Sequence, residues 1–129
     1  MEDGSLNALG THLLLDLRGC NPDLLNDLQY IRQAMMSAAT EAGSTVLGEN
    51  FHKFDPLGVT GIIAIAESHL AIHTWPEHGY AAVDIFTCGS SFGYRRAAQL
   101  IIERLECVQH RTTDLKRGPM SEISASPVS

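Results

Sequence analysis

Apolar positions along this chain recur every second residue in several stretches and at helical spacing in two others, and those periods predict its elements. Residues 1–8 are polar and read as loose. Between Leu9 and Asp16 the pattern alternates, and Leu13, Leu15 and Leu17 face one way while His12, Leu14 and Asp16 face the other. Gly19-Cys20-Asn21-Pro22 ends that strand, with Asn21 placed as an N-cap and Pro22 at the first helical position. Leu24, Leu28, Ile31, Met35 and Ala38 or Ala39 then predict one amphipathic helix over 22–42, closed by Gly43. Residues 44–54 read as a strand and 55–58 as a turn. Residues 59–67 and 80–88 are apolar on both sides, as in strands covered on both faces. A short strand between them carries His69 and His73 and ends at Trp75-Pro76-Glu77. Tyr94, Ala97 or Ala98, Ile101 and Leu105 mark a second helix over 91–106. Residues 107–115 read as an edge strand and 116–129 as a flexible tail.

The order is β-α-β-β followed by β-β-α-β, close to one β-α-β-β unit used twice. The fold class is α+β: a two-layer α/β sandwich with a mostly antiparallel sheet and two helices on one face. Two helices cover only one side of such a sheet. In so short a chain the other side calls for a second subunit, giving a four-layer αββα homodimer.

Composition narrows the function. A single domain over 1–129, 44% hydrophobic and 19% charged, fits a soluble globular protein. With no long apolar run and an acidic, polar start, a membrane span or signal peptide is not expected, and a cytoplasmic location is. The net charge of −6 and the scattered basic residues argue against a nucleic-acid partner. Cys20, Cys88 and Cys107 are widely spaced and odd in number, which fits reduced thiols. There is no CxxC pair, and His69 and His73 four apart on a strand are poorly placed to chelate, so no metal is expected.

The chemistry gathers around Glu67-Ser68, His73 and Cys88, a hydroxyl, an imidazole and a thiol at or near strand ends. Taken singly each has an ordinary explanation: a serine satisfying a turn, a histidine on a strand, a thiol in a core. Taken together, the run Ala66-Glu-Ser-His-Leu-Ala-Ile-His-Thr-Trp-Pro-Glu-His-Gly-Tyr-Ala-Ala-Val-Asp-Ile-Phe-Thr-Cys-Gly89 resembles the bacterial and archaeal S-adenosylmethionine decarboxylase proenzymes. The likeness spans roughly residues 9–115, including His12-Leu-Leu-Leu-Asp16 and Gly58-Val-Thr-Gly61.

That resemblance implies self-cleavage between Glu67 and Ser68, leaving a β chain of 1–67 and an α chain of 68–129. Ser68 would become a covalently bound pyruvoyl group, the site of a Schiff base with substrate, with no pyridoxal phosphate required. His73 would be the processing base, Thr60 would assist processing, and Cys88 would be the catalytic proton donor. Phe54, Leu70 and Trp75 would flank the adenine and Glu77 would contact the nucleoside. Family members of this short type are homodimers with active sites at the subunit interface. The implied function is decarboxylation of S-adenosylmethionine, supplying the aminopropyl donor for spermidine. Relatives that decarboxylate arginine or ornithine keep the same self-processing core, so the motif leaves them open; Phe54 and Trp75 favour an adenine-bearing substrate. An unprocessed, non-catalytic binding or regulatory homologue is the more distant alternative, and the intact Ser68, His73 and Cys88 argue against it.

Overall fold

Alternation sorts the side chains of this sheet, and the core follows from it. In a computed structural model, which describes residues 8–88 and 92–123, Leu13, Leu15, Leu17, Ile63, Ile65, Leu70, Ile72, Val83 and Ile85 are all buried on one face. The elements are β1 (Ala8–Arg18), α1 (Pro22–Leu25), α2 (Leu28–Glu41), β2 (Val46–Lys53), β3 (Val59–Ile65), β4 (Ser68–Trp75), β5 (Tyr80–Thr87), α3 (Tyr94–Arg104), β6 (Gln109–Pro119) and α4 (Met120–Ile123). The strands form one sheet in the order β2-β3-β4-β5-β1-β6, and every neighbouring pair is antiparallel.

Helices α2 and α3 lie on the buried face, contributing Ile31, Ala34, Met35, Ala38 and Ala39 from the first and Ala97, Ala98, Leu100 and Ile101 from the second. The Tyr30 hydroxyl donates to the Arg104 carbonyl at 2.7 Å and ties the two helices together. The other face carries His12, Leu14, Asp16, Ile62, Ala64, His69, Ala71, His73, Trp75, Tyr80, Ala82, Asp84 and Phe86, and no helix among the described residues covers it. Ile62 is 45% exposed there. The two-sided cover expected for 59–67 and 80–88 is therefore one-sided within one chain. The second half runs β-β-α-β, a reversed order and not a repeat of the first.

The single helix expected over 22–42 is broken at Asn26 and Asp27. Asn21 caps α1 as expected, accepting from the Asp23 amide at 3.0 Å. Asp27 then starts a new helix by accepting from the Tyr30 amide at 3.0 Å. Asn26 turns outward, and its Oδ1 accepts from the Gly58 amide at 2.9 Å. Beside it the buried Thr74 hydroxyl accepts from the Val59 amide at 2.9 Å and donates to the Leu25 carbonyl at 2.8 Å. These two links pin the helix break to the ends of β3 and β4.

The last strand is also longer than its sequence suggests. It runs from Gln109 to Pro119, and Lys116, Arg117 and Pro119 pair with Thr11, Gly10 and Ala8. The expected tail thus begins as sheet, and α4 follows it; residues 124–129 and 1–7 lie outside the described residues.

Register here is a property of the core. A fully buried Leu or Ile contributes about 1.5–3 kcal/mol. Slipping β4 by one residue would turn Leu70 and Ile72 out to solvent, so such slips cost several such increments. Thr74→Val keeps the shape but leaves the Val59 amide and the Leu25 carbonyl unpaired in the interior. We expect it to lose about 2–4 kcal/mol, one to two unsatisfied groups' worth, measured as a lower urea midpoint. A loss below about 0.5 kcal/mol, within the net value of a single ordinary hydrogen bond, would show that the link is dispensable.

Candidate active site

The turn between β3 and β4 is as short as a hairpin allows. Ile65 pairs with Ser68, so Ala66 and Glu67 alone make the connection. Glu67 sits at φ 63, a left-handed conformation that costs a non-glycine residue of order 1 kcal/mol or more. The Glu67 carbonyl accepts the Cys88 amide at 3.0 Å. The Ser68 hydroxyl donates to the Thr87 hydroxyl at 2.9 Å, and these residues are also register partners across β4 and β5. Cys88 is exposed just past the end of β5. One end of the sheet therefore holds a polarised peptide carbonyl, the serine that follows it, and a thiol. An amide N–H aimed at that carbonyl oxygen is placed where negative charge would develop if the carbonyl were attacked.

The other end of β4 carries a second cluster on the open face. His73 is the register partner of Thr60, and its Nδ1 lies 3.1 Å from the Thr60 hydroxyl. The Trp75 ring is 6.4 Å from that of His73. Phe54, Thr60, His73, Trp75 and Glu77 line one pocket of about 260 Å³. Its rim is fixed from below, because the Phe54 amide donates to the Gly58 carbonyl at 2.8 Å and Asn26 holds the Gly58 amide. Pro76–His78 forms a tight helical turn, closed by Gly79 at φ 58, where a β-carbon would press on the Cys20 carbonyl at 3.3 Å.

Thus Ser68 joins Glu67 and Cys88, and His73 joins Thr60, Phe54, Trp75 and Glu77, but the two groups are apart. Ser68 and His73 are five residues from each other on β4, about 17 Å of strand, and their side chains leave opposite faces. Within one chain the sheet does not bring hydroxyl, imidazole and thiol together. Leu70 shares the buried face with Ile72 and is 0% exposed, on the reverse of the strand from Trp75, so its side chain does not line the pocket that holds Phe54 and Trp75. Gly89, beside Cys88, lies outside the described residues.

Two polar residues of this region escaped the sequence reading. Thr87 anchors the Ser68 hydroxyl, and Thr74 anchors the strand under His73 and Trp75. Both were signalled by parity, since each is a threonine at a buried position in an otherwise apolar series, Ala81-Val83-Ile85-Thr87 and Leu70-Ile72-Thr74. Two other histidines of the open face have their own partners: His69 stacks on Phe86 at 5.7 Å, and His12 lies 3.1 Å from Asp84. No cluster of three or more His, Cys, Asp or Glu able to hold a metal ion occurs among the described residues. No helix among them is long and apolar enough to cross a membrane.

Residues 11–118 match the family model described as S-adenosylmethionine decarboxylase. The chain is 51% identical over 114 residues to a protein of Thermodesulfovibrio yellowstonii named S-adenosylmethionine decarboxylase proenzyme, covering 88% of this chain and 84% of that one. It is 43% identical over 123 residues to one of the same name from Moorella thermoacetica, covering 95% and 98%. The crystal structure of the adenosylmethionine decarboxylase from Aquifex aeolicus is similar with a TM-score of 0.80 and 38% identity, over 87% of this chain and 92% of that one.

The three thiols differ in ways that alkylation can read. Burial, together with Cys107 beside it, pushes the Cys20 thiol up to about 12. That keeps Cys20 out of its reactive thiolate form at pH 8. Cys107 is half-buried, with its thiol against the Gln109 carbonyl at 3.1 Å. Iodoacetamide should therefore modify Cys88 first, Cys107 next and Cys20 last, as read by peptide mass spectrometry over time. Early labelling of Cys20 would contradict this placement.

Proposed function

Because the chain belongs to the S-adenosylmethionine decarboxylase family, we propose that it is a self-processing proenzyme. In this reading the mature form decarboxylates S-adenosylmethionine in the cytoplasm, through a pyruvoyl group made from Ser68, and so supplies the aminopropyl donor for spermidine. The observation that carries the reading is the Cys88 amide on the Glu67 carbonyl, in a left-handed turn immediately before a serine whose hydroxyl is held.

In processing, the Ser68 Oγ attacks the Glu67 carbonyl carbon, the peptide C–N bond breaks, and an ester links the two residues. The Cys88 N–H stabilises the oxyanion on the way. A base then takes the Ser68 α-proton and the Cβ–O bond breaks, releasing Glu67 as a carboxylate. The dehydroalanine left behind takes up water and loses ammonia, which gives the pyruvoyl terminus. The chain's residues fit that product, since its site is the first residue of β4 with a thiol and two threonine-anchored strands around it. The group supplies an electron-accepting carbonyl to a bound amine, with no need of pyridoxal phosphate or a metal. Cys88 is then the acid that returns a proton to the substrate carbon after carbon dioxide leaves.

The base is His73, supplied by a second copy of the chain. Within one chain it lies about 17 Å along the strand from Ser68, on the opposite face. Two copies packed through their open faces, with their β4 strands running opposite ways, bring the Ser68–Cys88 end of each against the His73–Thr60 end of the other. The same packing covers Ile62 and the alanines of the open face and gives the αββα homodimer. The 260 Å³ pocket, with Phe54 and Trp75 as flat walls and Glu77 as acceptor, suits the nucleoside part of S-adenosylmethionine. Its size is at the small end for a ligand site, as befits half of a shared one.

Three outcomes test these steps. Purified protein should separate into two pieces of roughly half the mass each, with a pyruvoyl terminus on the second, and Ser68→Ala should stay whole. A wild-type chain that stays intact on long incubation would remove the self-processing claim. His73→Ala should accumulate an ester that hydroxylamine cleaves between 67 and 68. Mixing His73→Ala with Ser68→Ala during expression should restore cleavage of the His73→Ala chain, because one site of the mixed dimer then has both groups. Failure of that mixture, with mixed dimers present by mass, would assign the base to the same chain. Finally, labelled carbon dioxide should be released much faster from S-adenosylmethionine than from arginine or ornithine, and Trp75→Ala should raise KM severalfold, from the loss of about 0.5–1.5 kcal/mol of stacking beyond burial. A preference for arginine or ornithine would change the substrate and leave the processing chemistry standing.

A further inference from the structure

We propose that Tyr80, tethered to Asp16, is the positioning residue that holds Trp75 against the substrate pocket. The inference rests on the reading of Trp75 as a wall of that pocket. Trp75 is the only tryptophan in the chain, and it is 40% exposed at the end of β4. It lines two spaces: the 260 Å³ pocket with Phe54, Thr60, His73 and Glu77, and on its other side a cavity of about 470 Å³ with Asp16, Arg18, His78 and Tyr80. An indole with open space on both sides has no reason of its own to favour the first.

Tyr80 supplies the reason. It is the register partner of Trp75 across the β4–β5 hairpin, and the two rings lie 5.4 Å apart at 38°. The phenol ring lines the second space together with the indole and so occupies room into which the indole would otherwise swing. The ring is itself held, because its hydroxyl donates a short hydrogen bond to the Asp16 carboxylate on β1. The bond reaches across from the hairpin to β1, which is fixed in turn by Leu15 and Leu17 in the core. The bond to Asp16, followed by burial, pushes the Tyr80 hydroxyl up to about 12, so the donor is kept throughout the range in which an enzyme works. A flat side chain held in place before substrate arrives loses less freedom on binding, which lowers KM without touching the chemical step.

Because Trp75 is the sole indole, its emission reports on this arrangement directly and without substrate. Tyr80→Phe keeps the ring and removes the tether. It should lower Trp75 anisotropy and raise its quenching by acrylamide by about twofold, and raise KM about three- to tenfold, the scale of one lost hydrogen bond, with kcat within about twofold of wild type. Asp16→Ala should do the same from the other strand, and Asp16→Asn, which still offers an acceptor oxygen, should restore most of both readouts. Unchanged Trp75 emission in Tyr80→Phe and Asp16→Ala overturns the tether. A loosened Trp75 with unchanged KM overturns its part in substrate binding. If Trp75→Ala also leaves KM unchanged, the fault lies with the reading of Trp75 as a pocket wall, and the emission data still decide whether Tyr80 positions it.

Discussion

A six-stranded sheet has two faces, and this chain has helices for one. Everything else about the molecule follows from that inequality. The face that receives α2 and α3 must be apolar at every second residue, and it is, from Leu13 through Ile85. The opposite parity is then free to carry groups that would be intolerable inside: His12, Asp16, His69, His73, Asp84. Strand register is set by the buried parity at a cost of several kcal/mol per slip, so the placement of the exposed parity is inherited from the core. Ser68 opposite Thr87 and His73 opposite Thr60 are positioned by leucines and isoleucines that take no part in chemistry.

The two ends of β4 show how a short hairpin concentrates polar and aromatic groups. At one end the chain turns in two residues, and a glutamate adopts a backbone conformation normally left to glycine. At the other, a proline and a glycine bracket a single helical turn that aims Trp75 and Glu77 at the same pocket. The strand between is a rigid ruler, and its odd spacing sends the serine and the histidine to opposite sides. The histidine thus lies on the uncovered side of the sheet, while the serine at the far end of the same strand faces the other way.

Much of this was legible in the sequence because period-two alternation is a local signal. Strands β3, β4 and β5 and the uncovered face could all be read from it, although the strand read to 67 ends at Ile65, where the two-residue turn begins. So could the burial of Leu70, which shares parity with Ile72. The helix break at Asn26 was hidden, since Leu24 and Leu28 keep helical spacing and the bonds that favour the break come from Gly58 and Thr74, distant in sequence. The reach of β6 to Pro119 was hidden for a different reason. As an exposed edge strand it is held by backbone pairing to β1, and Lys116 and Arg117 look the same in a strand as in a tail.

The strand order carries a consequence for assembly. Of the five ladders in the sheet, three join a strand before residue 67 to one after it: β1 to β5, β1 to β6 and β3 to β4. β1 in particular is threaded between two strands of the later segment. A chain cut at Glu67 therefore remains one woven object, and its two pieces can part only by losing the sheet. Before the cut, folding is a first-order search within one molecule. After it, regaining the same sheet from separated pieces is a second-order encounter, slowed by dilution and exposed to aggregation of the bare β5 and β6 strands. A chain cut there would be durable in use and poorly reversible once unfolded.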